Sequence, residues 1–325
     1  MARRDKSRFI LLFLDGLGLG PAGPHNPLSN PDSMPQVSAL CGTPLVAGAH
    51  VQRPNFLLKP IDATLGVPGL PQSATGQTTL YTGHNAAKFR GKHQTGFANG
   101  SLRQLIEPYG LFRRVLAQGG TATLANLYSP AYFEAIAQRR RRYAVCTLLN
   151  MTAGLPFRMQ YEYEQGKALF WDITGEIASS RGIDTPPITP ERSGHNLANL
   201  GNHHSITLFE CYLPDYAGHG QSCDRAMTVL QRIDRFIIAV IEQLGPDTTL
   251  IVASDHGNVE NLSTKRHTLN PVPLWVVGPA ASEFVATVDL TGITPAILTY
   301  LFSSNPLTPM SQSCLLPSQQ SRQIC

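Results

Sequence analysis

The sequence predicts a layered α/β fold, a three-layer sandwich with a mostly parallel central sheet. Three observations lead there. Short, continuously apolar runs recur along the chain, and helical patterns lie between them. Hydrophobic residues make up 42% of the chain and charged residues 15%, enough for a sizeable core. Runs that do not alternate suit strands buried on both faces of a parallel sheet. Strands alternating with helices imply layers.

The elements follow in order. "RFILLFLD" (8–15) is the first strand. The opening "MARRDKSRFILLFLDGLG" resembles a secretion signal only briefly, because Asp15 ends the apolar run Phe9–Leu14 and no small-residue cleavage site follows. Residues 20–72 are rich in Pro and Gly and read as a long loop over the sheet. "GLPQSATGQTTLYTG" (69–83) carries five hydroxyl residues and no charge, so it either caps a buried helix or presents a hydroxyl for chemistry. Further strands are "TATLANL" (121–127), "SITLFECYLPD" (205–215), "TTLIVASD" (248–255) and "PLWVVG" (273–278). The clearest helix is 222–244, with Met227, Leu230, Ile233, Ile237, Val240, Ile241 and Leu244 on one face, Ser222 as N-cap and Gly245 as stop. A second spans 289–302 with Asp289 as cap. Residues 151–200 have weak periodicity and read as a small insertion or lid within a core of 1–302. The Ser/Gln/Pro-rich tail 303–325 is expected to be disordered, and no repeat is visible.

Net charge is a mild +4, partly from Arg139–Arg142, a run that reads as a solvated helix end. Neither a nucleic-acid nor a membrane partner is expected. The six cysteines form no C-x-x-C pair and read as free thiols in a reducing, cytoplasmic setting. No stretch reaches transmembrane length. The oligomeric state is not legible.

Three of the five apolar runs end in aspartate: Asp15, Asp215 and Asp255. In open α/β sheets ligands bind beyond the carboxyl ends of the strands. Carboxylates converging there are tolerable when a cation neutralises them. Histidines accompany them: His219 in "DYAGHG", His256 in "SDHGN" and His267 in "KRHTLNPVP". Asp and neutral imidazole are ligands for Zn²⁺ or Mn²⁺. Each residue alone has a plainer reading, as a turn, a cap or a core histidine. Together they sit at predicted strand ends, and none in mid-helix. Six ligands exceed what one catalytic ion needs, so two ions fit better.

These pieces, "FLDGLGLG", "PQSATGQTTLYTG", "PDYAGHG", "ASDHGN" and "RHTLNPVP", resemble the alkaline phosphatase superfamily in that order. Within it they look like the branch of cofactor-independent phosphoglycerate mutase and phosphopentomutase, and "DLTGITPAILTYL" looks like the closing helix. The resemblance implies an alkaline-phosphatase-like fold. It implies that Asp15, Asp255 and His256 hold one metal together with the nucleophile oxygen, and that Asp215, His219 and His267 hold the other. The nucleophile carries over to Ser73 on its spacing from Gly76 and Gly83, with Thr75 as the competing hydroxyl. About 140 residues separate Ser73 from Asp215, so the mutase's large inserted domain is absent and its activity does not carry over. No Cys-x-Pro-x-Arg segment supports a sulfatase. Lys88, Arg90, Lys92 and His93, just after the nucleophile helix, are candidates to meet substrate phosphate. The expectation is a dinuclear, metal-dependent phosphohydrolase acting on a small phosphate ester through a phosphoserine. A phosphomutase, a phosphodiesterase and a non-catalytic metal-binding or interaction protein are the alternatives.

Overall fold

The computed structural model describes residues 7–98 and 100–302. Its strands are β1 (Arg8–Leu14), β2 (Val51–Arg53), β3 (Phe56–Ile61), β4 (Ala122–Leu124), β5 (Ile206–Cys211), β6 (Thr248–Ala253) and β7 (Val272–Val277). They form one sheet in the order β2-β3-β7-β6-β1-β5-β4. From β6 to β4 each neighbour is parallel. The other edge is antiparallel: β7 against β6, β3 against β7, β2 against β3.

Two expectations are corrected here. The run at 273–278 is a buried strand, but it runs antiparallel, since burial on both faces does not encode direction. Residues 20–72 are not all loop. They hold the helix Pro35–Cys41 and the β2–β3 hairpin, with Asn55 at positive φ in its turn. The hairpin extends the sheet beyond β7.

Strand β1 divides the core by its pleat. Phe9, Leu11 and Phe13 pack on one side with Leu80 and Tyr81 of the helix Ser73–Thr82 and Ile297 of the helix Ile293–Phe302. Ile10, Leu12 and Leu14 pack on the other with Leu197 of the helix Pro190–Gly201 and Leu230, Ile233 and Ile237 of the helix Cys223–Glu242. Ser222 caps that last helix by accepting from the Arg225 N–H. Asp289 caps the turn that leads into Ile293–Phe302.

The 151–200 stretch is not uniform. Pro190–Gly201 belongs to a main helix layer. A Cβ at Gly194 would stand 2.6 Å from the Phe236 carbonyl oxygen, so glycine permits the close crossing of the two helices. Ahead of it, Tyr163, Ala168, Phe170, Ala178 and Ile183 form a small apolar cluster of their own with Leu127. Arg139–Arg142 is exposed after the helix Pro130–Ala137. Cys41, Cys146, Cys211 and Cys223 are free thiols. Among the described residues no helix is long and apolar enough to cross a membrane. The tail expected to be disordered lies outside the described residues.

Candidate active site

Strands β6, β1 and β5 are neighbours, so whatever follows their carboxyl ends converges. Asp15 follows β1 directly and Asp255 follows β6 after Ser254. Asp215 departs from expectation. β5 stops at Cys211, and Asp215 and His219 sit on one short helix, Leu213–Gly220, with Pro214 in its first turn. The i, i+4 spacing puts both side chains on one helix face. Gly16 has φ 71°, and a Cβ there would lie 2.9 Å from Asp215 Cα, so this turn needs glycine to let Asp215 come alongside Asp15.

Ser73 opens the helix Ser73–Thr82, every other residue of which is buried. That burial explains the uncharged, hydroxyl-rich run. Thr78, Thr79 and Thr82 each donate to the carbonyl four residues back, at 2.7, 2.8 and 2.7 Å, and so need no outside partner. Thr75 donates to the Gln72 carbonyl at 3.1 Å and is fully buried. Of these hydroxyls only Ser73 faces the acidic cluster, its Oγ 3.0 Å from His256 Nε2, while Gln77 one turn on donates to Asp255 Oδ2 at 3.4 Å. A Cβ at Gly76 would stand 2.7 Å from Asp255 Cβ, so glycine brings this helix against the loop after β6. The helix start offers an incoming anion fewer N–H donors than a free terminus would, because Ala74 N–H is bonded to the Gln94 carbonyl at 3.1 Å.

Asp15, Asp255 and His256 place one donor atom each within 4.8 Å of one another, and so do Asp215, His256 and His267. His219 lies at the rim, its Nε2 3.2 Å from Asp215 Oδ2. Two imidazoles are anchored from behind. His219 Nδ1 is 2.7 Å from the Lys265 carbonyl, and His267 Nδ1 is 2.8 Å from the Pro71 carbonyl. A carbonyl can only accept, so each Nδ1 carries a proton, and in the neutral ring each Nε2 is left with its lone pair facing Asp215. Lone pairs facing a carboxylate repel unless a cation or proton lies between them.

The carboxylates tell the same story. Asp15 Oδ1 and Asp255 Oδ1 are buried without a hydrogen-bond partner among the described residues. Burial pushes the Asp15 carboxyl well above its ordinary range, and Asp255, Asp215 and Glu210 push it further. Asp255 is raised well above its range by burial and then by Asp215. His256 is held well below the usual imidazole range by burial and then by His267. A divalent cation with oxygen and imidazole preference fits this set. Metal binding favours the ionised carboxylates, so it works against the upward shift of Asp15 and Asp255, whereas the downward shift of His256 already favours the neutral imidazole that a metal needs. Calorimetric titration of metal in buffers of different ionisation enthalpy is expected to show net proton release. Proton uptake on binding would contradict these pKa directions.

One residue with no sequence signal organises the site. Glu260 is 2% exposed. Its carboxylate accepts from Asn258 N–H at 2.7 Å, Gly18 N–H at 3.2 Å, Asn270 Nδ2 at 3.0 Å and the Thr268 hydroxyl. It thereby ties together the loops after β1, after β6 and before β7. Asn258 in turn donates to Asp215 Oδ1 at 2.6 Å. Glu260→Gln turns two of those acceptor positions toward donors. It is expected to cost about 2–4 kcal/mol in denaturant unfolding and to weaken metal binding. The nearest sequence hint is the polar run "DHGNVE", which periodicity alone does not resolve.

Beside the site an open cleft of about 360 Å³ is lined by Leu70, Gln72, Thr95, His219, Arg266 and His267. The basic residues expected near substrate do not line it. Arg90 bonds Ser101 at 2.7 Å, His93 Nε2 lies 3.2 Å from the Val67 carbonyl, and Lys88 and Lys92 are exposed. The cleft's own cation is Arg266, next to His267 in sequence.

A family model described as the Metalloenzyme superfamily matches residues 174–305. The 2,3-bisphosphoglycerate-independent phosphoglycerate mutase of Desulforudis audaxviator is 29% identical over 143 residues, 40% of this chain and 28% of that protein. The same enzyme from Ruegeria pomeroyi is 28% identical over 157 residues, 45% and 30% of the two chains. The matched part thus spans less than a third of these curated relatives. Among solved structures, the PH0037 protein of Pyrococcus horikoshii gives a TM-score of 0.54 at 12% identity, covering 93% of this chain and 99% of that one. The alkaline phosphatase of the Antarctic bacterium TAB5 gives 0.51 at 14%, covering 91% and 98%. Family match, sequence relatives and shared fold together bear out the resemblance to the metalloenzymes of the alkaline phosphatase superfamily.

Proposed function

We propose that this chain is a metal-dependent phosphohydrolase that cleaves a small phosphate ester through a phosphoserine at Ser73. The observation that carries this reading is the placement of Ser73 Oγ, 3.0 Å from His256 Nε2, at the head of a buried helix and beside two carboxylates that each bury one oxygen without a hydrogen-bond partner. Asp15, Asp255 and His256, with Ser73 Oγ, would hold one divalent ion. Asp215, His219 and His267 would hold a second, with Mn²⁺ or Zn²⁺ as the candidates. When bound, such ions supply Lewis-acid polarisation of phosphoryl and seryl oxygens.

The chain's own residues do the positioning. The helix contact at Gly76 fixes Ser73 against the loop bearing Asp255. The carbonyls of Pro71 and Lys265 fix the two rim imidazoles. In the first step Ser73 Oγ bonds to phosphorus as the ester oxygen leaves with its alcohol. In the second, water cleaves the phosphoseryl bond and inorganic phosphate departs. The adjoining cleft is open, so water has access to that intermediate.

The test is turnover of a panel of phosphorylated metabolites by metal-loaded protein in ¹⁸O water. Hydrolysis puts one solvent oxygen into each phosphate released. Isomerisation of a sugar or glycerate phosphate with neither phosphate release nor label would replace this reading with a mutase. A complete lack of turnover, aryl phosphates included, would leave a metal-binding protein without catalysis.

A further inference from the structure

We infer that the chain has a second ligand site, away from the metal cluster, that takes a small polyanion. The site is a cavity of about 600 Å³ whose lining includes Arg158, Lys167, Arg192, Asn196, His203 and His204, with no acidic residue. It lies between the segment around Arg158–Lys167 and the helix Pro190–Gly201, and it shares no residue with the cleft beside His219 and His267. Nothing in the proposed hydrolysis uses it.

The charges there are not neutralised from within. Among the described residues neither Arg158, Lys167 nor Arg192 makes an ion pair. The acids that could serve are committed elsewhere. Glu191, next to Arg192, holds Arg235 at 2.5 and 3.0 Å. Glu162 accepts from the Met159 N–H at 2.9 Å and compensates only part of the burial that lowers the Arg158 pKa. Three cations around one concavity repel one another, and an anion between them removes that repulsion.

The walls are also constrained. Arg158 is half-buried, with Nε and one terminal nitrogen on Thr123 Oγ1 at 3.1 and 2.8 Å, which fixes the plane of its guanidinium. Gly166 turns at φ 68°, and a Cβ there would lie 2.9 Å from Asn196 Oδ1, so only glycine lets this wall close while delivering Lys167 to the rim. His204 donates through Nδ1 to the Leu200 carbonyl at 3.0 Å, and burial keeps its pKa low, so it offers a neutral Nε2 rather than a charge. Asn196 and Asn199 add amide donors.

Size and composition select the ligand class. The volume is that of a small-molecule pocket. No Phe, Tyr or Trp side chain lines it, which favours a small anion over a stacked nucleic-acid base. Phosphate and carboxylate groups both match an arginine fork and an ammonium.

The test uses full-length, metal-loaded protein and two non-hydrolysable probes, methylenebisphosphonate and tricarballylate, titrated calorimetrically in excess free metal. Lys167→Glu with Arg192→Glu reverses two exposed charges outside the catalytic cluster. Wild type is expected to bind at least one probe at a site that this double variant weakens at least tenfold, while aryl phosphate turnover is unchanged. The neutral pair Lys167→Gln and Arg192→Gln, expected to lose less, serves if charge reversal disturbs folding. The probe that binds decides between a phosphorylated and a polycarboxylate ligand. Equal binding by wild type and neutral variant, or binding only at the metal centre, overturns the proposal.

Discussion

Alanine at position 73 is expected to lower turnover by a factor on the order of 10³ or more, as loss of a covalent nucleophile does. The fold should survive. Ser73 stands at the helix start, and the structure gives its hydroxyl one partner, His256, so its removal opens no core cavity. Melting temperature and metal content should stay near wild type, which separates loss of chemistry from loss of structure. Protein quenched during turnover should carry phosphate on Ser73. Phosphate on Thr75 would reverse the assignment, although that hydroxyl is fully buried and already donates to the Gln72 carbonyl.

Asp15→Asn is expected to shift stability in opposite directions in the metal-free and metal-loaded protein. The Asp15 carboxyl is raised in the folded state, first by burial and then by Asp255. A raised carboxyl contributes stability that is complete below its unfolded pKa, about 4, and is lost as pH rises through the folded value. By pH 8 the metal-free wild type has given up stability that the raised Asp15 carboxyl supplied at low pH, and the asparagine variant, which does not titrate, avoids that loss. Metal-free variant should unfold later than metal-free wild type at pH 8, an advantage that disappears below about pH 4. With metal the order reverses, because saturating ligand stabilises wild type by about 2–4 kcal/mol and the variant loses most of that gain. Melting curves with and without chelator at the two pH values decide it. A metal-free variant less stable than wild type at pH 8 would contradict the electrostatic reading.

How much was legible depended on range. β1, β5 and β6 announce themselves as continuous apolar runs, and the helix Cys223–Glu242 by its stripe and its serine cap, because such signals lie within a few residues of each other. The β2–β3 hairpin was hidden by composition. Pro60 and Lys59 sit inside β3, and the segment before it is rich in Pro and Gly. The direction of β7 was not readable, since its pairing with β6 and β3 is decided by the path of the chain and not by its own residues. At Asp215 the clue was present, because Pro214 marks a helix start more readily than a strand end. Asp15, Asp255 and His256 were legible because carboxylates and histidines just beyond strand ends are costly without a purpose. Glu260 was not, because its partners include Gly18, 242 positions away. The basic residues Lys88, Arg90, Lys92 and His93 show the converse: closeness in sequence to Ser73 did not bring them to the cleft.

The bond between Gly18 and the Glu260 carboxylate also bears on when the site can come into being. A ribosome releases the first of these segments long before the second, and the loop carrying Asn270 emerges later still. Until residues 206–253 follow, Asp15 belongs to a strand whose neighbours on both sides, β5 and β6, have not been made. Closing contacts over such separations is entropically expensive and slow. The cluster accordingly cannot assemble before the segment carrying Asp255, His256 and His267 has been made. The cluster is therefore among the last parts of this fold to be brought together, and it waits on chain order rather than on any local folding signal.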